Sequence, residues 1–194
     1  MILDNLKDFN IILASQSPRR QELLKGLNIE FTTEVRSVEE VYPNDLAPEE
    51  VPTYLSELKA SVFNELNSND LVITSDTVVI NDGKVLGKPS DAAEAKEMIQ
   101  SLSGKSHQVV TGVTIKTQNK VHSFCSTTDV TFSNLTDQEI DFYIQQYRPF
   151  DKAGAYGIQE WIGYIGIESI KGSYFNVMGL PVHRLYEELK NIAK

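Results

Sequence analysis

Leu71-Val72-Ile73-Thr74-Ser75-Asp76-Thr77-Val78-Val79-Ile80-Asn81-Asp82-Gly83-Lys84-Val85-Leu86 is the stretch on which the fold turns. Leu71 to Thr74 reads as a buried strand, and Val78 to Ile80 continues the apolar run beyond Asp76. Asn81-Asp82-Gly83 then predicts a tight turn into Lys84-Val85-Leu86, a β-hairpin. Asp76 interrupts the pattern. A carboxylate in such a run is expensive to bury unless it is paired, hydrogen-bonded or bound to metal. It fits a turn between two strands, and it also fits a Mg²⁺ ligand or the base that activates a water.

Towards the amino terminus, Asn10 to Ala14 reads as a short buried strand running straight into Ser15-Gln16-Ser17-Pro18-Arg19-Arg20. Ser17 suits an N-cap and Pro18 the first helical position, with a stop near Gly26. A helix start favours anions, and two hydroxyls with two guanidiniums add donors matched to phosphate oxygens. The same residues fit a capped helix carrying solvated arginines. Between the two strands, Pro48 to about Asn67 places Val51, Tyr54, Leu55, Leu58, Val62 and Leu66 at helical spacing. Lys59 lies beside that apolar face and can snorkel, while Glu39-Glu40 can be plain surface acids.

Towards the carboxyl terminus, Asp91 with Glu94 and Thr136 with Glu139 resemble capping boxes, opening helices to about Leu102 and through Tyr147. His107 to Lys116 and Lys120 to Phe132 read as long strands, and strand-like pieces recur around Ile165 to Ile170. Pro181 opens a last helix. Strands and helices are mixed without regular alternation, which predicts an α/β protein with an extended mixed sheet. Lys88 sits on the short Gly87-Lys88-Pro89 loop. Two Gly-rich passages, Asp151 to Gln159 and Gly172 to Pro181, permit close approach to a ligand, and Gln159 offers a donor and an acceptor to a base edge. His107 is expected to make a structural hydrogen bond.

The chain has 194 residues, 41% hydrophobic and 23% charged, which fits one domain or two lobes around one cleft. A formal charge of −9 argues against a broad basic face for nucleic acid. Cys125, the one cysteine, excludes an intramolecular disulfide and fits a reducing compartment; its setting predicts a buried or half-buried side chain. Three scattered histidines assemble no zinc site at recognised spacings. Met1 to Phe9 lacks the features of a signal peptide, and no apolar stretch approaches a membrane span. A cytoplasmic protein without membrane or nucleic-acid partners is expected.

Six segments in order, A-S-Q-S-P-R-R, S-D-T-V-V, G-K-P, S-G-K-S-H-Q-V-V-T-G-V, D-K-A-G-A-Y-G-I-Q and G-S-Y-F-N-V-M-G-L-P, span Ala14 to Pro181. Together they resemble the Maf family of nucleotide pyrophosphatases, also called septum formation inhibitor proteins. The resemblance implies one domain over residues 1–194. It implies an elongated mixed β-sheet with flanking helices in the style of inosine triphosphatases, with two lobes around a cleft. It also implies cleavage of a nucleoside triphosphate between the α and β phosphates, with Mg²⁺ or Mn²⁺. Asp76 matches the family's proton acceptor; Ser15, Arg19, Arg20, Lys59 and Lys88 match its phosphate-handling residues. Glu40 matches an acidic residue near the metal, held with Asp76, although Glu39-Glu40 departs from the commoner Asp-Glu pair. Arg19, Thr77 and Gln159 fall where substrate branches diverge and resemble the branch acting on dTTP and UTP, with Gln159 reading the pyrimidine edge. Glu160-Trp161 departs from the Gly of many relatives and puts a negative charge beside the base-reading residue or out in solvent. A homodimer is a family-level expectation. The competing class is a nucleotide-binding regulator of septum formation with little catalysis.

Overall fold

The computed structural model describes residues 4–192. After a 3-10 turn come β1 (Asn10–Leu13), α1 (Pro18–Lys25), β2 (Thr32–Thr33) and α2 (Val51–Ser61). Next follow β3 (Asp70–Asn81), β4 (Lys84–Leu86), α3 (Ala92–Leu102), β5 (Ser106–Lys116) and β6 (Val121–Phe132). The chain continues through α4 (Asp137–Tyr147), α5 (Trp161–Gly166), β7 (Ile167–Lys171), α6 (Tyr174–Met178) and α7 (Val182–Asn191). The strands form one mixed sheet in the order β2-β1-β3-β5-β6-β7, with β4 also paired to β3. The protein is therefore an α/β fold with helices flanking a mixed sheet. It divides into two compact units: Met1–Asp76, Thr111–Ser126 and Gly179–Lys194 form one, Thr77–Val110 and Thr127–Met178 the other.

In the first unit β1 lies parallel to β3, with Asn10 opposite Asp70 and Leu13 opposite Ile73. Asn10 Nδ2 donates to Asp70 Oδ1 at 3.0 Å and the Asn67 N–H to Oδ2 at 2.8 Å, which pins that register. The same two donors hold the Asp70 carboxyl below its usual range. The last ladder bond from this side is Ala14 N–H to the Ile73 carbonyl, 2.9 Å. β1 ends there and β3 runs on. Because every residue of β3 except Thr77 is buried, the strand continues unbroken through Asp76. The turn reading of Asp76 is overturned: Thr74 and Val78 both keep extended backbone, since an apolar strand buried on both faces gains more by continuing than by bending.

Helix α2 is shorter than its apolar spacing predicts. Beyond Ser61 the chain leaves the helix, and Phe63 and Leu66 fill a cluster with Ile12 and Val72. The periodicity outlasts the helix because an irregular segment can bury side chains on the same sheet. Three fully buried hydroxyl residues fasten α2 down. Thr74 Oγ1 donates to the Ser56 carbonyl at 2.6 Å, and Ser56 Oγ lies 2.8 Å from Thr114 Oγ1. Gly112 of β5 lets the strand approach α2 closely, since a Cβ there would fall 2.3 Å from the carbonyl carbon of Pro52. Cys125 is exposed rather than buried, because the alternation of β6 gives the inner face to Phe124.

In the second unit the predicted hairpin pairs Val79 with Leu86 and Asn81 with Lys84, with positive φ at Asp82 and Gly83. The Thr136–Glu139 capping box is complete. At α3, Asp91 accepts from the Glu94 N–H at 2.9 Å, but the Glu94 carboxylate turns to the Ser90 N–H and hydroxyl instead of closing the box. Helix α3 packs on α4, and Ile99, Leu102, Phe132, Ile140 and Tyr143 lie at the core. His107 is buried, its Nε2 2.7 Å from the Tyr156 hydroxyl and its ring edge-on to Phe132, the structural role expected. Residues 161–166, partly read as strand, are helical. Among the described residues no helix is long and apolar enough to cross a membrane.

Candidate active site

The first unit gathers its charges at the carboxyl end of β1, where open α/β sheets place their ligands. Ser15 is buried just past the strand, and its Oγ accepts from the Ser17 N–H at 3.2 Å. Ser17 caps α1, taking the Arg20 N–H at 3.5 Å, with Pro18 in the first turn, as the sequence predicts. Two of the amides expected to face an anion therefore already have hydroxyl partners. Arg20 turns back toward β3: its Nε donates to the Gly179 carbonyl at 2.9 Å and its Nη1 to the Ser75 carbonyl at 2.8 Å. Two of its N–H donors thus anchor α1.

Asp76 is held from the other side by α2. Lys59 Nζ lies 2.5 Å from Asp76 Oδ1 and 3.1 Å from Glu40 Oε2. The lysine follows Ser56 by one helical turn, so the hydroxyl bonds that fix α2 also set where its ammonium sits. Asp76 and Lys59 side chains are 12% and 17% exposed and Glu40 is 47% exposed, so the pair is largely withdrawn from water while Glu40 reaches it from an irregular segment. Lys59 does not snorkel; it is ion-paired. Burial lowers the Arg20 guanidinium from its ordinary value, Asp76 pulls it back up, Arg19 adds to the lowering and Glu40 opposes it. Arg20 remains a cation in any case. Arg19, Arg20, Glu40, Lys59 and Asp76 share one electrostatic neighbourhood.

Among the described residues no three His, Cys, Asp or Glu side chains come together as a metal cage. Asp76 and Glu40, bridged by one ammonium, form a two-carboxylate oxygen set. Such a set suits Mg²⁺, which takes one or two carboxylates and completes its shell with water and substrate phosphates. The residues present fit a divalent cation of that kind.

Thr77, Lys88 and Gln159 belong to the second unit. Thr77 is half-buried on β3, and Lys88 is exposed on the loop after β4. Gln159 is half-buried, and its Oε1 is a buried acceptor that receives no hydrogen bond from any described residue. Glu160, the departure noted in the sequence, faces neither solvent nor Gln159 alone. It is bound to Lys152 Nζ at 3.1 Å and to the Tyr143 hydroxyl. Sequence reasoning missed Tyr143, which at i+3 from Ile140 looks like core packing, and gave Lys152 no role. A lysine embedded among Ala and Gly residues was the available signal.

A family model described as "Maf-like protein" matches residues 10–192. A relative from Porphyromonas gingivalis, named dTTP/UTP pyrophosphatase, is 53% identical over 197 residues, covering 100% of this chain and 99% of its own. Relatives of the same name come from Phocaeicola vulgatus, 53% identical over 98% of this chain and 100% of theirs, and from Christiangramia forsetii, 51% identical over 99% and 98%. Among solved structures, the Staphylococcus aureus Ham1 protein aligns with a TM-score of 0.44 at 16% identity, covering 63% of this chain and 71% of that one. With the family pattern running from β1 to the end of α7 and relatives half identical throughout, the chain belongs to the Maf family.

Proposed function

We propose that the chain hydrolyses nucleoside triphosphates, dTTP and UTP foremost, to the nucleoside monophosphate and pyrophosphate. The observation that carries this reading is Asp76, held in mid-strand by Lys59, whose ammonium also meets Glu40, in a chain half identical to full-length relatives named for that activity. Asp76 accepts a proton from a water whose oxygen bonds to the α-phosphorus as the bridging bond to the β-phosphate breaks. Lys59, Arg19, Arg20 and Lys88 offset the charge on the phosphates, with Ser15 at the helix start. Asp76 and Glu40 would hold Mg²⁺ or Mn²⁺, which supplies further charge neutralisation at the phosphates. Thr77 and Gln159 are assigned to the base. The whole chain acts as one catalytic domain in the cytoplasm.

The test is pyrophosphate release from dTTP, UTP, CTP, GTP, 7-methyl-GTP and ITP with Mg²⁺ or Mn²⁺, for the wild type and Asp76→Asn. Preference for dTTP and UTP, with kcat of Asp76→Asn down roughly 10²–10⁴-fold, is the expected result. Wild-type turnover by Asp76→Asn overturns its role. Tight nucleotide binding with no turnover points instead to a regulator.

A further inference from the structure

Gln159 faces a chemical problem that its own side chain cannot solve. Uracil and thymine present an N3–H donor between two carbonyls, whereas cytosine presents an N3 acceptor beside an amino donor. A primary amide carries one acceptor and two donors, so one orientation matches the imide and the orientation rotated by half a turn matches cytosine. A freely rotating Gln159 would read both. Discrimination needs something that fixes the amide.

The second unit contains that support. Gly157 N–H donates to the Tyr143 hydroxyl at 2.9 Å, and that hydroxyl donates to Glu160 Oε2. Burial pushes the Tyr143 phenol above its ordinary range and the Glu160 hydrogen bond pushes it further, so it keeps its proton. Lys152 Nζ, on a buried side chain, bridges Glu160 Oε1 at 3.1 Å and Asp151 Oδ1 at 2.7 Å. The turn is closed by Glu160 N–H to the Gly157 carbonyl at 2.9 Å. Gly157 receives both neighbouring side chains: a Cβ there would lie 2.8 Å from Glu160 Cδ and 2.9 Å from Gln159 Nε2. The amide nitrogen thus lies against Gly157, while Oε1 is a buried acceptor that receives no hydrogen bond from any described residue.

We propose that Tyr143, Lys152 and Glu160 are positioning residues for base discrimination, locking the Gly157–Glu160 turn so that Gln159 offers an acceptor to an imide N–H. The inference rests on the dTTP/UTP reading above. A core built for stability alone would carry Phe at 143 and apolar groups at 152 and 160, since buried charges rarely outperform well-packed hydrocarbon. Polar networks that satisfy one another rigidify what they touch.

The experiment measures kcat/KM for UTP and CTP on the full chain as wild type, Tyr143→Phe, Glu160→Gln, Lys152→Met and the double variant Lys152→Met/Glu160→Gln. Melting temperatures are recorded alongside. The wild type is expected to favour UTP by about 10²-fold, since the mismatched base leaves a buried polar group without its hydrogen bond. Each single variant should lower that ratio about tenfold, through UTP KM and a gain with CTP, with kcat for UTP falling less than the ratio. Lys152→Met leaves a carboxylate unpaired and should melt lowest. The double variant removes both charges and should regain melting temperature while the ratio stays low. A ratio that recovers together with the melting temperature, or single variants that keep the wild-type ratio, overturns the proposal. A wild type that cleaves CTP as readily as UTP overturns the reading of Gln159 itself, and the proposal falls with it.

Discussion

Replacing Gly112 by alanine should damage both stability and catalysis, although the residue touches no proposed site group. The new Cβ would fall 2.3 Å from the Pro52 carbonyl carbon and oxygen and 2.4 Å from the Thr53 nitrogen. Ordinary carbon contacts begin near 3.5 Å, so β5 and the first turn of α2 must part by about 1 Å. The obstacle is helix backbone, which no rotamer can move aside. Overpacking of this kind costs about 1–3 kcal/mol. Tilting α2 also strains the Thr74–Ser56 and Ser56–Thr114 bonds and carries Lys59 away from its 2.5 Å contact with Asp76. One weakened hydrogen bond adds about 1 kcal/mol. Gly112→Ala should therefore lose about 2–4 kcal/mol in urea unfolding, or roughly 5–15 °C in Tm. At a temperature where it remains folded, its kcat for UTP should fall, because Lys59 no longer meets Asp76. Gly87→Ala is the control, since a Cβ there meets nothing within 4 Å and φ is not left-handed; its stability should stay within about 0.5 kcal/mol of wild type. An alanine at 112 with unchanged urea midpoint and unchanged kcat would refute the claim that this contact sets the position of Lys59.

Arg20→Lys keeps the charge but cannot serve the Gly179 and Ser75 carbonyls together; a loss of about 1–3 kcal/mol in urea unfolding is expected, with a raised KM for the triphosphate. His107 gives a pH signature, because burial depresses it from 6.5 to about 4 in the folded protein. The unfolded chain takes up that proton first. The contribution to stability is full above pH 6.5, falls as pH drops towards 4, and amounts to at most about 3 kcal/mol. His107→Gln should flatten that limb of a urea-midpoint profile. The Asp70 carboxyl, held below its ordinary 3.8, adds its own loss only at lower pH.

Legibility followed the range of the interactions. The start of α1, the capped start of α4 and the β3–β4 hairpin depend on residues within a few positions of one another, and all three were readable from Ser17-Pro18, Thr136/Glu139 and Asn81-Asp82-Gly83. Asp76 stood out because a carboxylate in an apolar run demands a partner, but its partner, Lys59, is 17 positions away, and Glu40, which shares that lysine, is 36 away; both could be named only through the family resemblance. Arg20's turn to two backbone carbonyls left no trace in the sequence, since any carbonyl can accept. The end of α2 at Ser61 is missed because apolar spacing reports which residues are buried, not which backbone carries them, and the exposure of Cys125 because the alternation of β6 gives the inner face to Phe124. The Tyr143–Glu160–Lys152 network lay hidden because each residue has an ordinary local explanation.

Four-residue β1 beside twelve-residue β3 has a consequence for how this protein can change. Where one strand stops early, its neighbour's carbonyls lose their amide partners, and at Ser75 an arginine guanidinium stands in for the missing rung. Asp76, the proposed proton acceptor, follows one residue later, beyond the end of β1. An insertion of two β-forming residues after Ala14 would extend the ladder to about Ser75 and displace Arg20 from that carbonyl. Such a variant would gain backbone hydrogen bonds and lose its activity. The length of β1, and not only the side chains on its neighbour, decides which group meets the Ser75 carbonyl.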